Sequence, residues 1–237
     1  MLENRVSRMV ALLGEQKTEL LLNSSVMVIG VGAVGGYALE MIARFGIKSI
    51  AVVDFDIFEE SNINRQILAT VKTLGAKKAD VAKSRVLEIN PDASVDVFDV
   101  KINENNLDFI SKFNPDFVID AIDDLNAKTA LIEYLVKNNI NFVSAMGAAL
   151  KFRPELLKIA TLDKTTNCHL AKKLRENLRK KGVNLKDVNV VFSTESAKIV
   201  KDENGNNVLG SMAQVPMAMG AFMASYALDI LTNKEKN

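Results

Sequence analysis

The sequence predicts an α/β fold built on a mainly parallel sheet, with an antiparallel extension toward the C-terminus. Three observations carry this. Short β-rich runs alternate with helical patterns over roughly the first 147 residues, and strand, helix, strand in that rhythm implies parallel strands joined by right-handed crossovers. The rhythm changes near residue 150, after which runs at 156–160, 188–193 and 197–200 read as strands with no helix between the last two. A glycine-rich run, Gly30-Val31-Gly32-Ala33-Val34-Gly35, stands where the first strand would feed the first helix.

The elements follow in order. Residues 25–29, 49–53, 95–98, 117–119 and 142–143 are dense in Val, Ile and Phe and read as strands. Residues 34–45, 72–89 and 126–138 read as the helices between them. Asn90-Pro91 and Asn114-Pro115 mark turns into the third and fourth strands. Beyond residue 150, 169–181 reads as a basic helix and Asn204-Gly205-Asn206-Asn207 as a hairpin or loop. With no fixed repeat or low-complexity linker, the expectation is one domain over 1–237. Within it, 1–150 is the nucleotide-binding part, Rossmann-like in its rhythm, and 151–237 an antiparallel and helical part for substrate and dimer contacts.

Composition narrows the function classes. The chain has 237 residues, 48% hydrophobic and 25% charged, with a formal net charge of +1. That excludes a disordered chain and argues against a protein that coats nucleic acid. A single cysteine excludes an internal disulfide framework and a Cys-rich zinc site. The neutrality is a cancellation. Residues 88–133 carry eleven acids and three bases, and residues 151–186 carry eleven bases and three acids. No apolar export segment follows Met1-Leu2-Glu3-Asn4-Arg5, so a cytoplasmic protein is expected. Residues 204–228 hold no charge, but Gln214, Pro216 and Ser225 interrupt them, and a core or dimer helix is expected there in place of a membrane span.

The glycine run carries the chemistry. Gly30, Gly32 and Gly35 permit a tight turn and close approach of backbone N–H groups to phosphate at a helix N-terminus. Asp54 ends the second strand nineteen residues after Gly35, where a carboxylate can accept hydrogen bonds from ribose hydroxyls. Asp56, Ser61, Asn62, Asn64, Arg65, Gln66, Lys77 and Lys78 follow, and Asp123 and Asp124 come after the fourth strand. All fall at the carboxyl edge of the sheet, where such folds bind ligands. A triphosphate needs more cationic neutralisation than a dinucleotide, usually with a divalent cation, so the cluster favours ATP over NAD. A solvated helix start is the alternative reading of Arg65, Lys77 and Lys78.

Taken together, the glycine run, Asp54-Phe55-Asp56, Asn62-Ile63-Asn64-Arg65-Gln66, Gly75-Ala76-Lys77-Lys78-Ala79, Ile89-Asn90-Pro91 and Asp120-Ala121-Ile122-Asp123 resemble the ubiquitin-activating-enzyme-like superfamily, over roughly residues 5–147. The resemblance implies that Asp54 holds the ribose, Ser61 to Arg65 line the nucleotide with Arg65 on the phosphates, Lys78 neutralises phosphate charge and Asp123 positions Mg²⁺. It implies that Arg8 reaches the ATP of a partner subunit, hence a homodimer with shared sites. Ala33 stands where many members have another glycine and still offers its N–H.

Members that activate sulfur carriers hold zinc on two Cys-x-x-Cys pairs, which a chain with Cys168 alone cannot do. Residues 170–183 and Val191-Phe192-Ser193-Thr194-Glu195 resemble instead the tRNA threonylcarbamoyladenosine dehydratase branch, although Cys168-His169 replaces its usual Asp-Pro. That branch implies ATP-dependent cyclisation of the modified adenosine beside the anticodon, and possible sulfur-transfer partner proteins. Adenylation of a ubiquitin-like carrier's C-terminus is the alternative. Lys172, Lys173, Arg175, Arg179, Lys180 and Lys181 form a plausible footprint for tRNA phosphates. A solvated amphipathic helix with Leu170, Leu174 and Leu178 inward is the other reading, and both can hold.

Overall fold

The computed structural model describes residues 2–198 and 200–233. In chain order it contains α1 (Leu2–Leu13), α2 (Glu15–Leu22), β1 (Ser25–Ile29), α3 (Gly35–Arg44), β2 (Ser49–Val53), α4 (Lys78–Ile89), β3 (Ser94–Phe98), α5 (Asp108–Phe113), β4 (Phe117–Asp120), α6 (Leu125–Lys137), β5 (Phe142–Ala145), β6 (Leu157–Thr161), α7 (His169–Lys180), β7 (Asn189–Ser193), β8 (Val200–Lys201), β9 (Asn207–Val208) and α8 (Gln214–Thr232). One seven-stranded sheet runs in the order β3-β2-β1-β4-β5-β7-β6. Every neighbouring pair is parallel except β6 and β7. This is the α/β, Rossmann-like, mainly parallel sheet with an antiparallel extension that the strand rhythm predicts.

Both faces of the sheet are covered, which is why its central strands read as continuous apolar runs. Val26, Val28, Ile50, Val52 and Ile119 face one layer with α3, α4 and α8. Met27, Ile29, Ala51, Val53 and Val118 face the other, with α5, α6 and α7. Each of these Val, Ile and Met side chains, fully buried, contributes about 1.5–3 kcal/mol. The uncharged C-terminal stretch becomes α8. It is long and apolar enough to cross a membrane by length and composition alone, yet half of it is buried inside the protein. It packs so closely on α3 that a Cβ at Gly220 would lie 2.6 Å from the Val34 carbonyl oxygen, so this crossing requires glycine.

Several elements differ from the sequence expectation. The helix expected over 72–89 begins only at Lys78, because Gly75, Ala76 and Lys78 exchange backbone hydrogen bonds with Asp56 and Phe58 instead. β7 lies parallel to β5 and slots between it and β6, so the antiparallel extension is the β6–β7 pair alone. The strand expected over 197–200 does not join the sheet. Val200 and Lys201 pair with Asn207 and Val208 in a separate ribbon, and Ile199 lies outside the described residues, as do Met1 and 234–237. Helices α1, α2 and α5 had no sequence expectation.

Candidate functional site

The carboxyl ends of β1, β2, β4 and β5 open onto a cavity of about 1000 Å³. Its first wall is the turn from β1 into α3. Gly30, Gly32, Ala33 and Val34 line it where the first-turn N–H groups of a helix lack internal acceptors. Gly35 sits beneath this surface, and the turn closes so tightly that a Cβ there would lie 1.7 Å from the Gly30 carbonyl oxygen.

Asp54 holds the base of this turn. Its carboxylate accepts from Val31 N at 2.8 Å and from Asp56 N at 2.9 Å. Burial nevertheless dominates and pushes its pKa above the ordinary aspartate value, against the pull of those two N–H groups. Lys78, only 7% exposed, reaches into the cavity with Nζ 3.2 Å from Asp56 Oδ2. Arg65 uses one nitrogen for the scaffold, Nη1 donating to Ser61 O at 2.6 Å and Asn64 Oδ1 at 3.1 Å. Its Nε and Nη2 have no partner among the described residues. Ser61, Asn64 and Gln66 also line the cavity. Asn62 does not; it is buried, accepting from Glu59 N at 3.2 Å and donating to Ser61 Oγ at 3.3 Å. The Gln66 side chain is 7% exposed and its Oε1 has no hydrogen-bond donor.

Asp123 and Asp124 reach the cavity from the start of α6. Asp124 caps that helix, accepting from Ala127 N at 2.8 Å. Asp123 is exposed and makes no hydrogen bond or ion pair among the described residues. No group of three or more His, Cys, Asp or Glu poised for a metal occurs among the described residues.

The far wall is different in kind. Ala145 to Ala149, Leu170, Leu209 to Ser211 and Pro216 line it without one charged side chain. The sequence reading did not place Leu209 to Ser211 at this wall, nor Lys101 and Ile102 at the other rim. It missed a buried triad under the floor as well. Lys128 Nζ lies 2.7 Å from Asp120 Oδ2 and 3.0 Å from Ser144 Oγ, and Ser144 Oγ donates to Asp120 at 2.7 Å. All three are 0% exposed. A lysine at a core position of α6, in register with Leu131, Ile132 and Leu135, was the available signal.

Two sets of expected residues lie elsewhere. Arg8 is exposed on α1 and does not line the cavity of its own chain. On α7, Ala171, Leu174 and Leu178 are buried while Lys172, Lys173, Arg179 and Lys180 are exposed. Arg175 instead donates to the carbonyl and hydroxyl oxygens of Thr165, and Lys181 pairs with Glu133 at 2.5 Å. Cys168 caps the same helix, its sulfur accepting from Ala171 N at 3.4 Å.

Residues 5–237 match the ThiF family. The chain is 35% identical over 229 residues to the tRNA threonylcarbamoyladenosine dehydratase of Bacillus subtilis, covering 94% of this chain and 90% of that one. To the enzyme of the same name from Escherichia coli it is 34% identical over 214 residues, covering 88% and 80%. The crystal structure of the E. coli dehydratase TcdA with ATP superimposes with a TM-score of 0.89 at 34% identity, over 97% of this chain and 94% of that one. The complex of TcdA with AMP gives 0.91.

Proposed function

The chain belongs to the ThiF family, and from that premise we propose that it is an ATP-dependent tRNA threonylcarbamoyladenosine dehydratase. One observation carries the reading: a single cavity joins a wall of helix N-terminus, Arg65 and Lys78 to a wall with no charged side chain. The first suits a nucleoside triphosphate and the second the uncharged purine of the substrate nucleoside, whose side-chain carboxylate would turn toward the phosphate wall.

A carboxylate is a poor electrophile and must first acquire a leaving group. In the proposed reaction a carboxylate oxygen of the threonylcarbamoyl group attacks a phosphorus atom of ATP. An acyl phosphoanhydride forms as the bond from that phosphorus to its bridging oxygen breaks, releasing pyrophosphate for attack at the α-phosphorus or ADP for attack at the γ-phosphorus. Arg65, through its free Nε and Nη2, and Lys78 neutralise the charge gathering on the phosphate oxygens. Asp54 accepts from the ribose hydroxyls. The ureido group of the same nucleoside then attacks the activated carbonyl carbon and gives up its N–H proton to solvent, while the phosphorylated oxygen leaves with its electron pair as phosphate or AMP. The ring closes and the nucleoside is lighter by one water. Proximity drives this second step without a protein nucleophile.

The residues present fit a divalent cation. Asp123 is a carboxylate with no protein partner among the described residues, and Mg²⁺ is commonly held by one or two carboxylates with substrate phosphates completing the shell. Asp123 would hold Mg²⁺, which when bound supplies further charge neutralisation at the phosphates. Lys172, Lys173, Arg179 and Lys180 are the bases of α7 free to meet tRNA phosphates. Leu170, on the same helix, lines the cavity and supports an anticodon loop entering from that side. Arg8, exposed and outside the lining of its own cavity, supports the homodimer reading in which it serves a second copy. A tRNA substrate is consistent with a cytoplasmic site of action.

The test is direct. Purified protein with ATP and tRNA bearing threonylcarbamoyladenosine should convert that nucleoside to a product lighter by one water, read by nucleoside mass spectrometry. An unchanged nucleoside with ATP present would overturn the proposal.

A further inference from the structure

The two walls of the cavity are joined by one side chain. Asn64 accepts from Arg65 Nη1 through Oδ1 at 3.1 Å and donates through Nδ2 to the carbonyl oxygen of Ser211 at 2.9 Å. The two partners fix the orientation of the amide, because the guanidinium can only donate and the carbonyl can only accept. Ser211 ends a strap, residues 200–211, which carries the β8–β9 ribbon and places Leu209, Gly210 and Ser211 on the uncharged wall.

The other anchors of the strap belong to its own side of the cavity. Lys151, 7% exposed, donates from Nζ to the carbonyls of Asn167 and Glu195 at the strap's approach. Leu150, in the left-handed region at φ 61°, donates from N to Gly210 O at 2.9 Å and accepts from Lys198 N at 3.2 Å. A non-glycine residue held there is unusual and needs its surroundings to fix it. Among the described residues, the side-chain hydrogen bond from the phosphate wall to the strap is the one made by Asn64.

Arg65 presents its donors in a rigid planar fork. One nitrogen serves Ser61 and Asn64, and Nε and Nη2 are left for an anion. An anion that fixes the fork therefore fixes Asn64, and through it Ser211. We infer that Asn64 is a positioning residue that transmits phosphate occupancy at Arg65 to the strap, so that the uncharged wall is ordered once the nucleotide is bound. The inference rests on the nucleotide reading above and implies that nucleotide binds before tRNA.

Backbone hydrogen exchange on the full chain, with and without saturating ATP, tests it. In the wild type, ATP should slow exchange at 209–212 by about fivefold, the factor expected for one firmer hydrogen bond, as well as in the 30–35 loop. In Asn64→Ala, and in Asn64→Asp, which keeps the acceptor toward Arg65 but loses the donor toward Ser211, each measured at an ATP concentration shown by calorimetry to saturate that variant, ATP should still slow the 30–35 loop and no longer slow 209–212. A merely structural asparagine would loosen the strap equally with and without ATP and leave the ATP-dependent difference intact; that result overturns the relay. Wild-type protection confined to the 30–35 loop also overturns it. Protection of neither segment overturns the nucleotide reading along with it.

Discussion

Lys128 and Lys78 each reach an aspartate near the same edge of the sheet, yet the two pairs are built oppositely. Lys128 and Asp120 are 2.7 Å apart, both wholly buried, and Ser144 bonds to each. Lys78 and Asp56 are 3.2 Å apart, with the lysine side chain 9% and the aspartate side chain 50% exposed. In the first, every charge is consumed by the protein, and its product is geometry: Asp120 Oδ1 also accepts from Ile122 N at 3.1 Å, steering the chain toward Asp123. In the second, the ammonium has a partner that water can replace, so a phosphate can compete for it at little cost. A lysine beside an aspartate is therefore structural or functional according to which partner solvent can reach.

Breaking the buried pair should have the largest effect. Lys128→Met leaves the Asp120 carboxylate buried without a counter-charge and should destabilise the fold by about 3–5 kcal/mol in urea unfolding. Adding Asp120→Asn should recover much of that loss. Lys78→Met should do the reverse, lowering kcat/KM by roughly 100- to 1000-fold, as loss of one oriented charge stabiliser does, with a far smaller change in unfolding midpoint. If the two variants traded phenotypes, the division between the pairs would be wrong.

Asp54 sharpens the contrast through pH. Burial raises its pKa, and its proposed role needs the carboxylate, so acidification should neutralise it earlier than an ordinary aspartate. ATP affinity should be constant above that raised value and fall by up to about tenfold per pH unit below it. Calorimetric titration of Asp54→Asn should give weaker binding without this acid limb. The smallest effects belong to α7, where the same distinction recurs between the free Lys180 and the Glu133-paired Lys181. Lys180→Ala should weaken tRNA binding a few-fold and reduce the slope of log affinity against log salt by roughly 0.7–0.9. Lys181→Ala should change that slope less.

Much of this was legible in the chain. The strands at 25–29 and 49–53 match β1 and β2 residue for residue, since buried parallel strands are continuous apolar runs. The glycine turn, Asp54 and Asp123 reach one cavity because each lies just beyond a strand's carboxyl end, and Arg65 and Lys78 join them from the connection between β2 and α4 at the same edge. The start of α4 was misread because a propensity window cannot see that Ala76 and Lys78 are bonded to 56–58, some twenty residues back. The basic run on α7 was visible as composition, but which of its bases are spent on Thr165 and Glu133 was not.

The sequence by itself determined the mainly parallel α/β class, the strands at 25–29 and 49–53 and the phosphate-facing loop. These follow from side-chain period and from residues adjacent in the chain. Only the tertiary structure decided that β7 enters between β5 and β6, that Lys128 is neutralised by Asp120 and Ser144, and that Asn64 reaches Ser211, 147 residues away. Those contacts join segments with no local pattern in common. The Lys128 contacts form because burial of the shared core brings polar groups together where each must find a partner.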